Sequence, residues 1–109
     1  MGASKSDYFT IEQNEIAILM KALGHPARIA IIEHLLKIDS CVCNDIVNEI
    51  PLSQPTISQH LKELKNAKII KGTIEGNSIC YCLNHETLTK IESYIKQIIK
   101  ADQEKKSCC

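Results

Sequence analysis

Six cysteines fall in three tight pairs, Cys41 with Cys43, Cys80 with Cys82 and Cys108 with Cys109. As thiolates such pairs ligate soft, thiophilic ions, and as thiols they can be oxidised to disulfides and reduced again. A second concentration of chemistry lies between the first two pairs. Over residues 53–64, Ser53, Gln54, Thr56, Ser58, Gln59, His60 and Lys62 bring together hydroxyls, amides, an imidazole and an ammonium. These groups hydrogen-bond to base edges and phosphate oxygens, and a helix that presents them fits the major groove of DNA.

The same stretch carries Ile57, Leu61 and Leu64 at helical spacing, a stripe that turns to a core and leaves the polar residues outward. Ser53 is suited to cap this reading helix, and Pro51 forces a turn before it. Upstream, residues 10–13 have the capping-box pattern Thr-Ile-Glu-Gln, followed by Ile16, Leu19, Met20 and Leu23 at helical spacing and by Gly24, whose permissive backbone can end the helix. His25-Pro26 opens a second helix, with proline at its first position. Ile29, Ile31, Ile32, Leu35 and Leu36 predict that it is almost wholly buried. A short helix is expected through Asp45, Ile46, Val47 and Ile50.

Behind the reading helix, residues 69–75 and 78–83 alternate like two strands joined at Gly76-Asn77. Ile79, Tyr81 and Leu83 share one face of the second strand and Cys80 and Cys82 the other, where they fit small residues packed under the hairpin. A last helix, from about His85 to Gln103, carries Leu88, Ile91, Ile95, Ile98 and Ile99 as a long apolar stripe, expected to bury itself against its own core or a second subunit. Helix, turn, helix and β-hairpin follow one another as in a winged helix-turn-helix. The expected class is mainly α (α+β), about five helices with a two-stranded β-hairpin wing. The expected divisions are a loose tail over residues 1–9, a DNA-binding and dimerisation domain over 10–104, and a cysteine-bearing tail over 105–109.

At 109 residues, 44% of them apolar, the chain suits one small core. With no Trp, three Tyr and one Phe, that core has little aromatic area, and a homodimer would add buried surface. Acidic and basic residues balance at 13 each, yet they are segregated. Residues 53–76 hold Lys62, Lys65, Lys68 and Lys71 against Glu63 and Glu75, whereas residues 11–50 are acidic on balance. No apolar run approaches the roughly 18 residues of a membrane span, and no secretory signal pattern opens the chain. A cytoplasmic protein without membrane contact is the expectation, and in a reducing compartment its cysteines would be metal-binding or redox-sensing thiols.

The chain resembles the ArsR/SmtB family of metal- and stress-responsive bacterial repressors. The likeness runs from roughly Ile16 to Ile99. It is carried by Lys21-Ala22-Leu23-Gly24-His25-Pro26-Ala27-Arg28, by Cys41-Val42-Cys43, and by Ser53-Gln54-Pro55 through His60-Leu61-Lys62, with Glu75-Gly76 and Tyr81-Cys82-Leu83 behind. The resemblance implies a homodimer that binds an imperfect palindromic operator in double-stranded DNA, represses an efflux or detoxification operon, and leaves DNA when an inducer binds. No cofactor is implied beyond that inducer, which the cysteines suggest is arsenite or another thiophile such as antimony, cadmium or lead.

Cys41 and Cys43, at the expected start of the short helix, would lie near a helix N-terminus, whose partial positive charge favours the thiolate. Residues two apart do not share a helical face, so their convergence on one ion requires the non-helical cap backbone. In arsenite-sensing relatives a third Cys often follows, at a position held here by Ile46, and Cys108 or Cys109 is the candidate replacement. The family's other common site, on the terminal helix, would find only His85 and is not expected. The family usually has Gly where Lys68 stands. His25 and His34 receive no role. A thiol-redox or persulfide sensor of the same fold, a small thiol enzyme and a protein-binding adaptor are the alternatives. The enzyme lacks support, because neither Cys-x-x-Cys in a βαβ setting nor a phosphate-cradling glycine loop is present.

Overall fold

The computed structural model describes residues 8–37, 50–76 and 78–105. In these, four helices and one hairpin follow in the order α1 (Ile11–Leu23), α2 (Pro26–Leu36), α3 (Gln54–Asn66), β1 (Ile70–Glu75), β2 (Ser78–Leu83) and α4 (His85–Glu104). The winged helix-turn-helix expected from the sequence is the fold observed. The short helix expected over 45–50 lies outside the described residues, apart from Ile50, which is buried.

Local chemistry sets the helix starts. At α1 the Thr10 hydroxyl accepts from the Gln13 backbone N–H at 3.0 Å while the Gln13 side chain accepts from the Thr10 N–H at 2.9 Å, a complete capping box. Gly24 ends α1 at φ −79°, so the stop does not draw on glycine's left-handed freedom, and Pro26 starts α2 two residues later. His25 caps α2 through Nδ1, which accepts from the Ala27 N–H at 3.0 Å. Ser53 caps α3, accepting from the Thr56 N–H.

The core is built from Leu19 and Ala22 of α1, Ile31 and Leu35 of α2, Ile57, Leu61 and Leu64 of α3, and Ile50, Ile69 and Ile70. α2 departs from expectation. Ile31 and Leu35 are buried, but Ile29 and Leu36 are 42% and 67% exposed, because a helix apolar all round can turn only one side to the α1, α3 and β2 neighbours it packs against.

Between α3 and β1 the chain makes a tight C-cap. The Lys68 N–H donates to the Lys65 carbonyl and the Ile69 N–H to the Leu64 carbonyl, which is the Schellman pattern. The pattern puts one residue in the left-handed region, and Lys68 occupies it at φ +65°. The turn therefore keeps its conformation with lysine where the family usually has glycine. β1 and β2 pair antiparallel from Ile70↔Leu83 to Glu75↔Ser78, and Gly76, at φ +63°, begins the two-residue connection. Tyr81 and Leu83 pack on the core, while Ile74 at the wing's tip is 81% exposed. α4 packs on α1, its Leu88 and Ile91 against the core.

Candidate nucleic-acid interface

Burial of Ile57, Leu61 and Leu64 fixes the rotation of α3 and leaves Gln54, Thr56, Ser58, Gln59 and Lys62 exposed. Gln54, Ser58 and Lys62 repeat at four-residue spacing and so line one side of the helix. Ser53 and Thr56 are already engaged with each other, their hydroxyl oxygens 2.9 Å apart at the cap, so they stiffen the helix start as well as facing outward. The Gln59 amide donates to the Glu63 carboxylate at 3.0 Å, which holds it along the helix axis. An exposed face of amides, hydroxyls and one ammonium on a helix anchored by three core residues can read a groove.

His60, expected on that outward face, is turned inward. It is 8% exposed, and its Nδ1 accepts from the Arg28 Nε–H at 3.1 Å. Arg28 also donates through Nη1 to the Ala22 carbonyl at 3.1 Å, and the His25 ring lies against that of His60 with centroids 4.3 Å apart. Accepting from a guanidinium requires neutral imidazole at Nδ1, and the surroundings enforce it. Burial, then the neighbouring His25 and Arg28, lower the His60 pKa below its ordinary value, with Glu63 opposing. His60 thus ties the reading helix to the α1–α2 junction. His25 and Arg28, given no site role from the sequence, are the other two parts of the tie. Only their place in the Gly-His-Pro-Ala-Arg motif hinted at it.

The cysteines divide between described and undescribed positions. Cys41, Cys43, Cys108 and Cys109 lie outside the described residues, and among those described no cluster of three or more His, Cys, Asp or Glu could hold a metal. Cys80 and Cys82 are both engaged in disulfides, a role the sequence alone did not assign. Cys80 is only 1% exposed, on the strand face opposite Tyr81. Of the terminal-helix stripe, Leu88 and Ile91 are partly buried in the chain's own core, whereas Ile95, Ile98 and Ile99 are 40–49% exposed.

This geometry has close relatives. Residues 25–71, from the α2 cap into β1, match the model of the bacterial regulatory proteins of the arsR family. The arsenical resistance operon repressor of Staphylococcus xylosus is 34% identical over 89 residues, spanning 82% of this chain and 85% of that one. In fold, a crystal structure of an ArsR family transcriptional regulator superposes at a TM-score of 0.75 with 16% identity, over 85% of this chain and 95% of that one. A solution structure of a homodimeric winged helix-turn-helix DNA-binding domain from Mycobacterium bovis superposes at 0.65 with 18% identity, over 100% and 97%. By its identity to the Staphylococcus xylosus repressor over most of both chains and its match to the family model, the chain belongs to the ArsR family of transcriptional regulators, and these relatives are regulators, not enzymes.

Proposed function

We propose that this chain is a homodimeric repressor that binds an imperfect palindromic operator through α3 and leaves it when a thiophilic inducer, trivalent arsenic above all, is bound by Cys41 and Cys43. The observation that carries the DNA half is the exposed polar face of α3, opposite a stripe in which Ile57 and Leu64 are 0% exposed. The Staphylococcus xylosus relative, an arsenical resistance operon repressor, supports the choice of inducer. Dimerisation is supported by the exposed Ile95, Ile98 and Ile99, an apolar surface that a second copy would cover, and by the homodimeric Mycobacterium bovis neighbour.

Two copies related by a two-fold axis would place their α3 helices in successive major grooves, about 34–36 Å apart. Small changes in that spacing cost affinity, so an inducer need only shift the dimer geometry. Typical coupling of ~1–3 kcal/mol is about 5- to 150-fold in operator affinity. Arsenite binding needs no redox change, since thiols displace the hydroxides of arsenous acid as water. Thiolates suit it because a soft centre prefers sulfur. Operator binding followed by fluorescence anisotropy during arsenite titration tests the reading. Release at near-stoichiometric arsenite is expected, and an operator complex indifferent to arsenite, antimonite, cadmium and lead would refute the inducer.

A further inference from the structure

The side-chain contact that seats α3 on the α1–α2 junction is accepted by a base. His60 Nδ1 takes the Arg28 Nε–H at 3.1 Å only while it carries no proton of its own, and the guanidinium, charged at every pH the fold meets, has no state in which it could accept instead. Arg28 is fixed in turn to α1 through the Ala22 carbonyl at 3.1 Å. The His25 ring, held at the cap of α2 by the Ala27 N–H, lies 4.3 Å from that of His60. Three helices thus meet at one hydrogen bond, and its acceptor is of the side-chain type that titrates near neutrality.

The surroundings decide where a protonated ring would turn. His25 and Arg28, from α2 and its cap, repel an imidazolium, whereas Glu63, one turn further along α3, attracts it. α1 and β1, which also pack on α3, bring no charged group among those that act on the ring. The Glu63 carboxylate already accepts from the Gln59 amide at 3.0 Å, so an imidazolium drawn toward Glu63 competes with Gln59 for the same acceptor. Gln59 belongs to the exposed polar face of α3. A proton on His60 therefore does two things at once: it removes the bond from α3 to Arg28, and it releases an outward amide.

We infer that proton uptake by His60 weakens operator binding, by loosening α3 from Arg28 and drawing the Glu63 carboxylate away from Gln59. This coupling rests on the reading of α3 as the DNA-reading helix and adds a regulation to it, since acid then lifts the regulator from DNA independently of any thiol chemistry. Its sign is the reverse of the ordinary one. Added positive charge strengthens binding to a polyanion, and a proton on an exposed histidine such as His25 acts in that direction. His60 acts the other way because its charge is set against Arg28 inside the protein. Linkage fixes the reciprocal effect: a proton that disfavours the operator is itself disfavoured by the operator. The pKa of His60, lowered in the free chain by burial and then by His25 and Arg28, falls further in the complex.

Operator affinity of the full chain, measured by fluorescence anisotropy from pH 7.5 to 5.0 at constant ionic strength, should fall by about twofold or more beyond the change seen in His60→Gln, whose amide oxygen accepts from Arg28 without titrating. Circular dichroism at each pH keeps unfolding apart from release. Glu63→Gln, which leaves Gln59 an acceptor but removes the charge that draws the ring, should move the fall to lower pH. Nitrogen-15 spectra of the imidazole follow the proton directly, and the His60 midpoint should be lower in the operator complex than in the free chain. Parallel pH profiles for the parent and His60→Gln, a fall that Glu63→Gln leaves in place, or a His60 midpoint equal or higher in the complex overturns the coupling. The reading of α3 is judged separately at pH 7.5. If Gln54→Ala and Ser58→Ala leave operator affinity unaltered there, that reading falls; if they weaken it while the pH profiles stay parallel, only the proton coupling falls.

Discussion

His60 faces the interior with an unprotonated Nδ1 that accepts from Arg28, so a proton there would set an N–H and a positive charge against the guanidinium. Its pKa is lowered in the folded chain, which means the unfolded chain takes up the proton first as pH falls. The contribution of His60 to stability is thus complete above the ordinary histidine pKa of about 6.5 and is lost as pH drops from there toward the lowered value. Thermal unfolding of the parent should weaken between pH 7.5 and 5.5 by more than that of His60→Gln, whose amide oxygen can accept from Arg28 without titrating. Equal pH dependence in the two chains would remove His60 from this role. His60→Ala, which leaves a partly buried guanidinium without its acceptor, should cost about 1–3 kcal/mol in denaturant unfolding. Lys68 carries the opposite expectation. A side chain in the left-handed region costs about 1–2 kcal/mol, less what glycine loses in chain entropy, so Lys68→Gly should leave the fold intact and raise the unfolding midpoint slightly.

The elements were legible where pattern and capping agree. Thr10 with Gln13, Pro26 after His25, and Ser53 before an apolar stripe each mark a helix start that the structure reproduces, and Gly76-Asn77 marks the wing's turn. Reading failed where a residue's character allowed two orientations. His60 is polar and sits between outward-facing Gln59 and Lys62, but its position three residues after Ile57 places it at the edge of the buried stripe, and Arg28, far away in sequence, decides which way it turns. Ile29 and Leu36 misled in the other direction, since an apolar helix does not reveal which of its sides lacks a neighbour. On α3 the outward residues are the ones to test. Gln54→Ala, Ser58→Ala and Gln59→Ala should each weaken specific operator binding by roughly 1–3 kcal/mol where the side chain meets a base edge, with little change in thermal stability. Unaltered operator affinity in all three would mean that another element reads the DNA.

At the scale of the molecule, a small core and an uncovered apolar surface belong together. Ile95, Ile98 and Ile99 lie on the distal half of α4, beyond Leu88 and Ile91, where the helix has run past its own core. Ile95→Glu should therefore yield monomers by analytical ultracentrifugation, with poor operator affinity because one α3 cannot span two half-sites. A parent chain that sediments as a monomer at micromolar concentration would contradict the dimer. The central claim is that DNA binding by α3 and thiol chemistry at Cys41 and Cys43 are coupled in one dimer. Its most direct test is operator release by arsenite, followed by anisotropy, in the reduced parent and in the Cys41→Ser, Cys43→Ser double variant. The account predicts that both bind the operator and that only the parent releases it, since serine oxygen is a poor ligand for a soft centre. Release of the double variant at the parent's arsenite concentration would contradict it.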